Sequence, residues 1–325
     1  MAKAKVKVKS ESSYSRNYSI GSRDMATAGQ MVVEQRFHGG FQSKRDIGQR
    51  WAYFCKWAEP QGIKRMEKIS KELVIEYGQS LQQELDAGER KSPSSPKNYV
   101  SAVNTVLRLA TQGEWKTVKP GKDCGIQARS YIPTESKAMS IATHQTAQRA
   151  VDDRISSLLG LQRAFGLRFK ESCLLNHKLA LKEALKDGRI TLRAGTKGGK
   201  LRRVPCRPCG IPALEQAIAI QDGKSLIPKN MSYADFQNEC YEQARLAEIG
   251  FHSERHFYAQ DRYREITGAP SPIEAGWSRK ERIVQLALYL NISEEEAQRI
   301  DAKARLQISV ELGHNRVEIS NAYLG

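Results

Sequence analysis

Four short segments of this 325-residue chain carry side chains that could run phosphate chemistry. In Phe165-Gly-Leu-Arg-Phe-Lys-Glu171, Arg168 and Glu171 stand one helical turn apart. A Gly-rich turn over 195–200 holds Lys197 at its tip, with Lys200 as a competitor for the same role. His252-Ser-Glu-Arg255-His256 puts His252 and Arg255 on one helix face, and Leu312-Gly-His314 is followed nine residues later by Tyr323. Two arginines, a lysine and two histidines are donors suited to a pentacoordinate phosphate, whose charge grows in the transition state. A tyrosine among them can attack phosphorus, because cationic neighbours stabilise its phenolate. A lysine on a hairpin can protonate the departing 5′ oxygen. No carboxylate cluster with metal-ligand spacing accompanies the set, so the expected chemistry is metal-free, with arginines taking the part Mg²⁺ plays in nucleases. Taken singly, each residue has an ordinary reading: an i,i+3 surface pair, a solvated turn, a core or capping histidine, a tyrosine near a chain end. The meaning lies in their occurring together and in order.

These residues need elements to hold them. Ile190, Leu192 and Ala194 alternate with Thr191 and Arg193, and the Gly-rich turn leads into Leu201-Arg-Arg-Val-Pro205, which predicts a two-stranded hairpin. A long helical stretch is expected over about 143–165, with further helices at about 211–221 and 233–248, the latter capped by Ser232. Upstream, residues 23–112 read as about four helices: a first near 24–36, a stripe of Ile47, Trp51, Phe54 and Ala58, another of Leu73, Tyr77, Leu81 and Leu85 opened by Ser70, and a third announced by Ser95-Pro96. The aromatic residues there sit mostly at core spacing, which favours packing over base stacking. Residues 113–137 show no sustained period and hold Pro and Gly, so they read as a linker, and 138–325 as the chemical half.

Composition narrows the partner. The formal charge is +16, and excess Lys and Arg attract polyanions, nucleic acid first among them. Residues 1–22, with Lys3, Lys5, Lys7 and Lys9, read as a flexible basic arm able to lie along phosphates. No apolar run approaches the length of a membrane span, and the N-terminal residues lack a signal-type apolar core. The six cysteines are sparse, as in a reducing compartment, and the Cys206–Cys209 pair lacks the second ligand pair of a structural zinc site.

The ordered set resembles the tyrosine recombinase (phage integrase) family. The matching patterns are GLRxxE at Gly166–Glu171, TKGGKxRxVP at Thr196–Pro205, HxxRH at His252–His256 and LGH-x8-Y at Leu312–Tyr323. The resemblance implies a mainly α fold with a small β-hairpin (α+β): a helical N-terminal core-binding domain, then a tyrosine recombinase catalytic domain, the two closing around duplex DNA. By this likeness Tyr323 is the nucleophile forming a 3′-phosphotyrosyl bond. Arg168 and Arg255 clamp the scissile phosphate, Lys197 is the general acid, and His252 and His314 donate to the phosphate, His252 also helping to take the tyrosine proton. Glu171 supports Arg168 or His252, and His256 is structural. No cofactor, metal or ATP is implied, since energy is conserved in the phosphotyrosyl bond. The implied partners are double-stranded DNA attachment sites, three further copies in a homotetramer, and DNA-bending accessory proteins, in a bacterial cytoplasm at the nucleoid. The product is integration or excision of a mobile element.

Two features depart from that pattern. Between Arg255 and His314 lie 58 residues, about twice the family's usual separation, and the excess over 268–302 reads as two helices with a short turn. The sequence also ends two residues after Tyr323, where relatives commonly continue into a segment that docks on a neighbouring subunit. A type IB topoisomerase would share the same chemistry. A DNA-binding regulator that kept the fold but lost catalysis is the alternative from another class.

Overall fold

A computed structural model describes residues 16–90, 92–128, 132–314 and 316–325. The four arm lysines lie outside the described residues, as do 129–131 of the expected linker. The chain divides into two compact units, Met1–Ser130 and Tyr131–Gly325.

The first unit contains α1 (Met25–Arg36), α2 (Phe41–Ala58), α3 (Lys71–Asp86), α4 (Ser94–Ala110) and the single turn α5 (Pro120–Asp123). Its core joins Val32, Trp51, Phe54, Tyr77, Leu81, Val103 and Leu107, and the indole N–H of Trp51 donates to the Met25 carbonyl at 3.0 Å. Asp24 and Ser70 cap α1 and α3 by accepting from Thr27 N and Leu73 N. The fourth helix begins at Ser94 rather than after Ser95. Pro96 therefore falls inside the first turn, where a missing N–H costs nothing. Residues 113–128, which read as linker from composition, pack on this unit instead. Buried Asn104 donates to the Val118 carbonyl at 2.8 Å and accepts from Val118 N and the Trp115 indole, while Val118, Cys124 and Ile126 join the core. A low-periodicity segment is thus fixed by one buried amide and three apolar side chains.

The second unit is α6 (Ile141–Ala150), α7 (Asp153–Phe165), α8 (Phe169–Leu174), α9 (His177–Asp187), β1 (Arg189–Leu192), β2 (Arg202–Pro205), α10 (Gly210–Ile220), α11 (Tyr233–Leu246), α12 (Phe251–Thr267), α13 (Arg282–Leu290), α14 (Glu294–Glu311) and α15 (Asn321–Leu324). The expected unbroken helix over 143–165 is two helices. Val151 is extended, and Asp152 caps α7 by accepting from Ile155 N at 2.8 Å, so a local side-chain bond outweighs continued helical propensity. The strands pair antiparallel with Ile190 opposite Val204 and Leu192 opposite Arg202, and Ile190, Leu192 and Val204 are buried. The core runs from α7 (Leu158, Leu161, Phe165) to α12 (Tyr258, Ala259, Tyr263) and α14 (Ala304, Ile308).

The 268–302 segment forms α13 and the first half of α14, joined through left-handed Asn291, with a small core of its own from Ala269, Leu286, Ala287 and Ala297. Ser293 caps α14, accepting from Glu296 N. The second helix continues to Glu311 and delivers the Leu312-Gly-His314 segment, so the extra residues are built into the element that carries His314. Among the described residues no helix is long and apolar enough to cross a membrane.

Candidate active site

Arg168 stands at the N-cap of α8, at the point where the chain leaves α7 through left-handed Gly166. A Cβ on Gly166 would lie 2.5 Å from the Tyr258 ring, so both the backbone angle and the space exclude other residues there. Buried Glu171 accepts from Arg168 N at 2.7 Å and from Arg168 Nη1 at 2.8 Å, closing the first turn of α8 and holding the guanidinium at once. The Glu171 oxygen that accepts from Arg168 N accepts from Arg202 Nη2 as well, and Arg202 Nη1 donates to the Glu311 carbonyl.

Arg255 projects from the first turns of α12 and is fully buried. Its Nη1 donates to the Gly166 carbonyl, its Nη2 to the Leu312 carbonyl, and its Nε to Tyr323 Oη at 3.2 Å. The Leu312 carbonyl is shared with Arg168 Nη2 at 3.3 Å, so the two arginines meet at the turn that opens the His314 segment. That turn again needs glycine: Gly313 has φ +68°, and a Cβ there would lie 2.9 Å from Arg202 Cδ.

Charge does not balance here. Three guanidinium groups (Arg168, Arg202, Arg255) surround one carboxylate, Glu171, leaving 3 − 1 = 2 positive charges compensated only by carbonyl dipoles. Burial, then the repulsion of Arg255, pushes the Arg202 guanidinium down to about 10, and burial lowers Arg255 as well. Buried cations without paired anions are costly, so the pocket is built for an anion that supplies the missing charge.

The histidines ring the tyrosine. Ring centroids of His256, His252 and His314 lie 4.8, 5.9 and 6.0 Å from that of Tyr323. His314 Nε2 stands 3.3 Å from Arg255 Nη2 and 3.4 Å from Tyr323 Oη. Arginine only donates, so Nε2 is the bare nitrogen of that imidazole, and its one lone pair is shared between Arg255 Nη2 and the phenol. Burial followed by the charges of Arg255, Arg168, Arg202 and Lys197 holds His314 down at about 4. Burial and the charges of Arg255, Arg168 and Lys137 do the same for His252, although this residue as a whole is exposed. Burial, His252, Lys137 and Arg255 bring buried His256 to about 4. All three rings are neutral at pH 7.

Lys197 sits at the exposed hairpin tip, where Gly198 and Gly199 take positive φ. It lines an open cleft of about 740 Å³ together with Arg168, Arg202, Lys200 and His314. Its charge acts on His314, whereas that of Lys200 is not among the causes of the His314 shift.

The structure therefore gathers Arg168, Arg255, His252, His256, His314 and Tyr323 around one point, with Glu171 beneath and Lys197 at the rim. Glu171 braces Arg168 and Arg202, and makes no bond to His252. Of the three histidines, His256 presents the ring nearest to Tyr323. Sequence reasoning missed Arg202, though it is the arginine of the TKGGKxRxVP pattern, and missed Gln260 and Lys137, which carry no motif signal.

Fold and site together set a tyrosine hydroxyl among arginines and histidines beside a basic cleft. Residues 125–261 match the model of the integrase family. Among solved structures, a lambda integrase dimer bound to a COC′ core site aligns with a TM-score of 0.57 at 12% identity, covering 92% of this chain and 76% of that one. XerH site-specific recombinase bound to a palindromic difH substrate aligns with a TM-score of 0.55 at 14% identity, covering 92% and 80%. The Tn1549 transposon integrase in complex with circular intermediate DNA aligns with a TM-score of 0.54 at 12% identity, covering 94% and 96%. No curated protein matches in a sequence comparison. These likenesses show the fold of the DNA-acting recombinases, and the family-model match lies within residues 125–261.

Proposed function

We propose that this protein is a site-specific DNA recombinase that integrates or excises a mobile element, with Tyr323 as nucleophile and the two units serving as core-binding and catalytic domains. The observation that carries the reading is Tyr323 Oη held between Arg255 Nε at 3.2 Å and His314 Nε2 at 3.4 Å.

The step balances as follows. Tyr323 Oη attacks the scissile phosphorus, forming the Tyr–O–P bond as the P–O5′ bond breaks. The phenol proton passes to His314 Nε2, which stands within hydrogen-bond reach of Tyr323 Oη at 3.4 Å, whereas no hydrogen bond joins His252 to the phenol. The departing 5′ oxygen takes its proton from Lys197. Arg168 and Arg255 supply the positive charge that balances the negative charge the transition state gains. Attack by a 5′-hydroxyl of a second duplex reverses the step and completes strand transfer. Affinity for DNA comes mainly from phosphates and falls steeply with salt, while sequence choice rests on base edges and DNA shape. Pairing of two sites calls for four copies. The DNA-bound dimeric and tetrameric lambda integrase structures among the neighbours support a multimeric DNA complex.

The test is covalent trapping. Wild type and Tyr323→Phe are incubated in EDTA with supercoiled DNA carrying the ends of the candidate element, then quenched with SDS. An adduct in wild type and none in Tyr323→Phe is the expected result. A non-covalent complex in both, without adduct, would move the reading to a DNA-binding regulator. Relaxation of any supercoiled DNA without joining of sites would favour the topoisomerase.

A further inference from the structure

Tyr323 lies on α15, a helix of only four residues. One turn has no stability of its own in water, because nucleation fixes several dihedrals for a single hydrogen bond, and its last carbonyls have no partner within the helix. Here other elements satisfy them. Gln260 Nε2, on α12 one and a half turns beyond Arg255, donates to the Tyr323 carbonyl at 3.1 Å. Ile273 N donates to the Leu324 carbonyl at 3.0 Å. On the other side, Arg305 Nη1 of α14 donates to Asn321 Oδ1 at 2.9 Å, and Asp301 holds that arginine at 2.9 and 3.0 Å.

Gln260 is the decisive member of this set. It is buried, with 2% of its surface exposed, and both ends of its amide are committed. The carbonyl of Tyr323 can only accept, so the NH₂ group must face it, and the Gln260 oxygen accepts from Ser136 Oγ at 3.0 Å. The same residue therefore ties the nucleophile's own backbone to the helix that carries His252, Arg255 and His256. Of the tethers on α15, the Gln260 bond is the one that ties the backbone of Tyr323 directly to the helix carrying Arg255, so it bears on the distance from Tyr323 Oη to Arg255 Nε. A leucine in its place would fill similar space and leave the Tyr323 carbonyl unpaired in a buried site.

We propose that Gln260 is a positioning residue for strand cleavage, holding Tyr323 in line with the arginine pocket through its main-chain carbonyl. The proposal rests on the recombinase reading above. It makes the nucleophile's place depend on a side chain that never touches the phosphate.

The test compares wild type, Gln260→Leu and Gln260→Glu in single-turnover adduct formation on nicked duplexes bearing the candidate element's ends, at saturating protein. Non-covalent affinity is measured on the same DNA and thermal unfolding alongside. Gln260→Leu is expected to slow adduct formation by about 5- to 30-fold, while affinity stays within about twofold, as one lost hydrogen bond at a reacting geometry requires. The glutamate variant gives a second handle. Its carboxylate cannot donate to the carbonyl, but the protonated acid can, so its rate relative to wild type should climb as pH falls. A change of packing alone would give no such profile. If wild type forms adduct and both variants match it at every pH, or if they lose rate only in proportion to affinity or folding, the proposal is overturned. If wild type binds this DNA and forms no adduct, the recombinase reading fails, and this one with it.

Discussion

The floor of the active site and its rim are built by opposite rules. On the floor, Arg168, Arg202 and Arg255 are held by a carboxylate and by the carbonyls of Gly166, Glu311 and Leu312, and Arg255 has no exposed surface. At the rim, Lys197 stands on an exposed turn whose glycines take left-handed angles. The floor must hold charge in a fixed place, and fixed donors in a water-poor pocket need no reorganisation as charge develops. In the proposed mechanism Lys197 is the general acid, and a long-stemmed ammonium on an exposed hairpin can reach the leaving oxygen. Burial and exposure thus separate floor from rim within one site.

Breaking the floor should have the largest effect. Arg255→Lys keeps the charge but cannot reach the Gly166 carbonyl, the Leu312 carbonyl and Tyr323 Oη together, so adduct formation should fall by about 10³-fold in single-turnover trapping. DNA affinity in the same variant should change little, because most phosphate contacts lie elsewhere.

The rim should respond less, and differently. Lys197→Ala should slow cleavage by about 10²-fold on an ordinary 5′-oxygen substrate. On DNA whose bridging 5′ oxygen is replaced by sulfur, the loss should shrink to a few-fold, since a thiolate leaves without a proton. An undiminished defect on the sulfur substrate would move Lys197 from acid to phosphate contact.

The three histidines sit between floor and rim, and acid tests them. Each ring titrates near 6.5 when free and about 4 in the fold. Between those values the unfolded chain binds more protons, so stability is complete above pH 6.5 and declines as pH falls towards 4. The urea midpoint should therefore drop between pH 7 and pH 5, and His256→Asn should flatten that drop. Bound DNA phosphate should raise the three values and draw protons in, which isothermal titration in two buffers would detect.

The smallest expected effect sharpens the lysine assignment. Lys200 lines the same cleft, but Lys197 rather than Lys200 is among the leading charges that lower His314, so Lys200→Ala should leave cleavage within about twofold. A loss matching that of Lys197→Ala would exchange the two roles.

Local chemistry was legible in the residues themselves. The hairpin over 189–205 follows from alternation and a Gly-rich turn, and the caps at Ser70, Ser232 and Ser293 follow from side chains that bond the helix's free N–H groups. The four motifs named the charged residues of the site, because each motif is short enough for its spacing to fix its own geometry. The break at Val151 was missed because propensity favours continuing the helix while a single Asp152 side-chain bond ends it. The packing of 113–128 was missed because Asn104 looks like any polar helix residue until its partners surround it.

What only the tertiary structure decided is everything that depends on distant backbones meeting. Arg168 and Tyr323 are 323 − 168 = 155 residues apart, and no local rule brings them together. Packing of α7, α12 and α14 on a shared core does, and the buried carbonyls of Gly166, Leu312 and Tyr323 then demand donors, which Arg255, Arg168 and Gln260 provide. Motifs fix which groups can react. Long-range packing, together with the cost of leaving any buried polar group unpaired, decides where they stand.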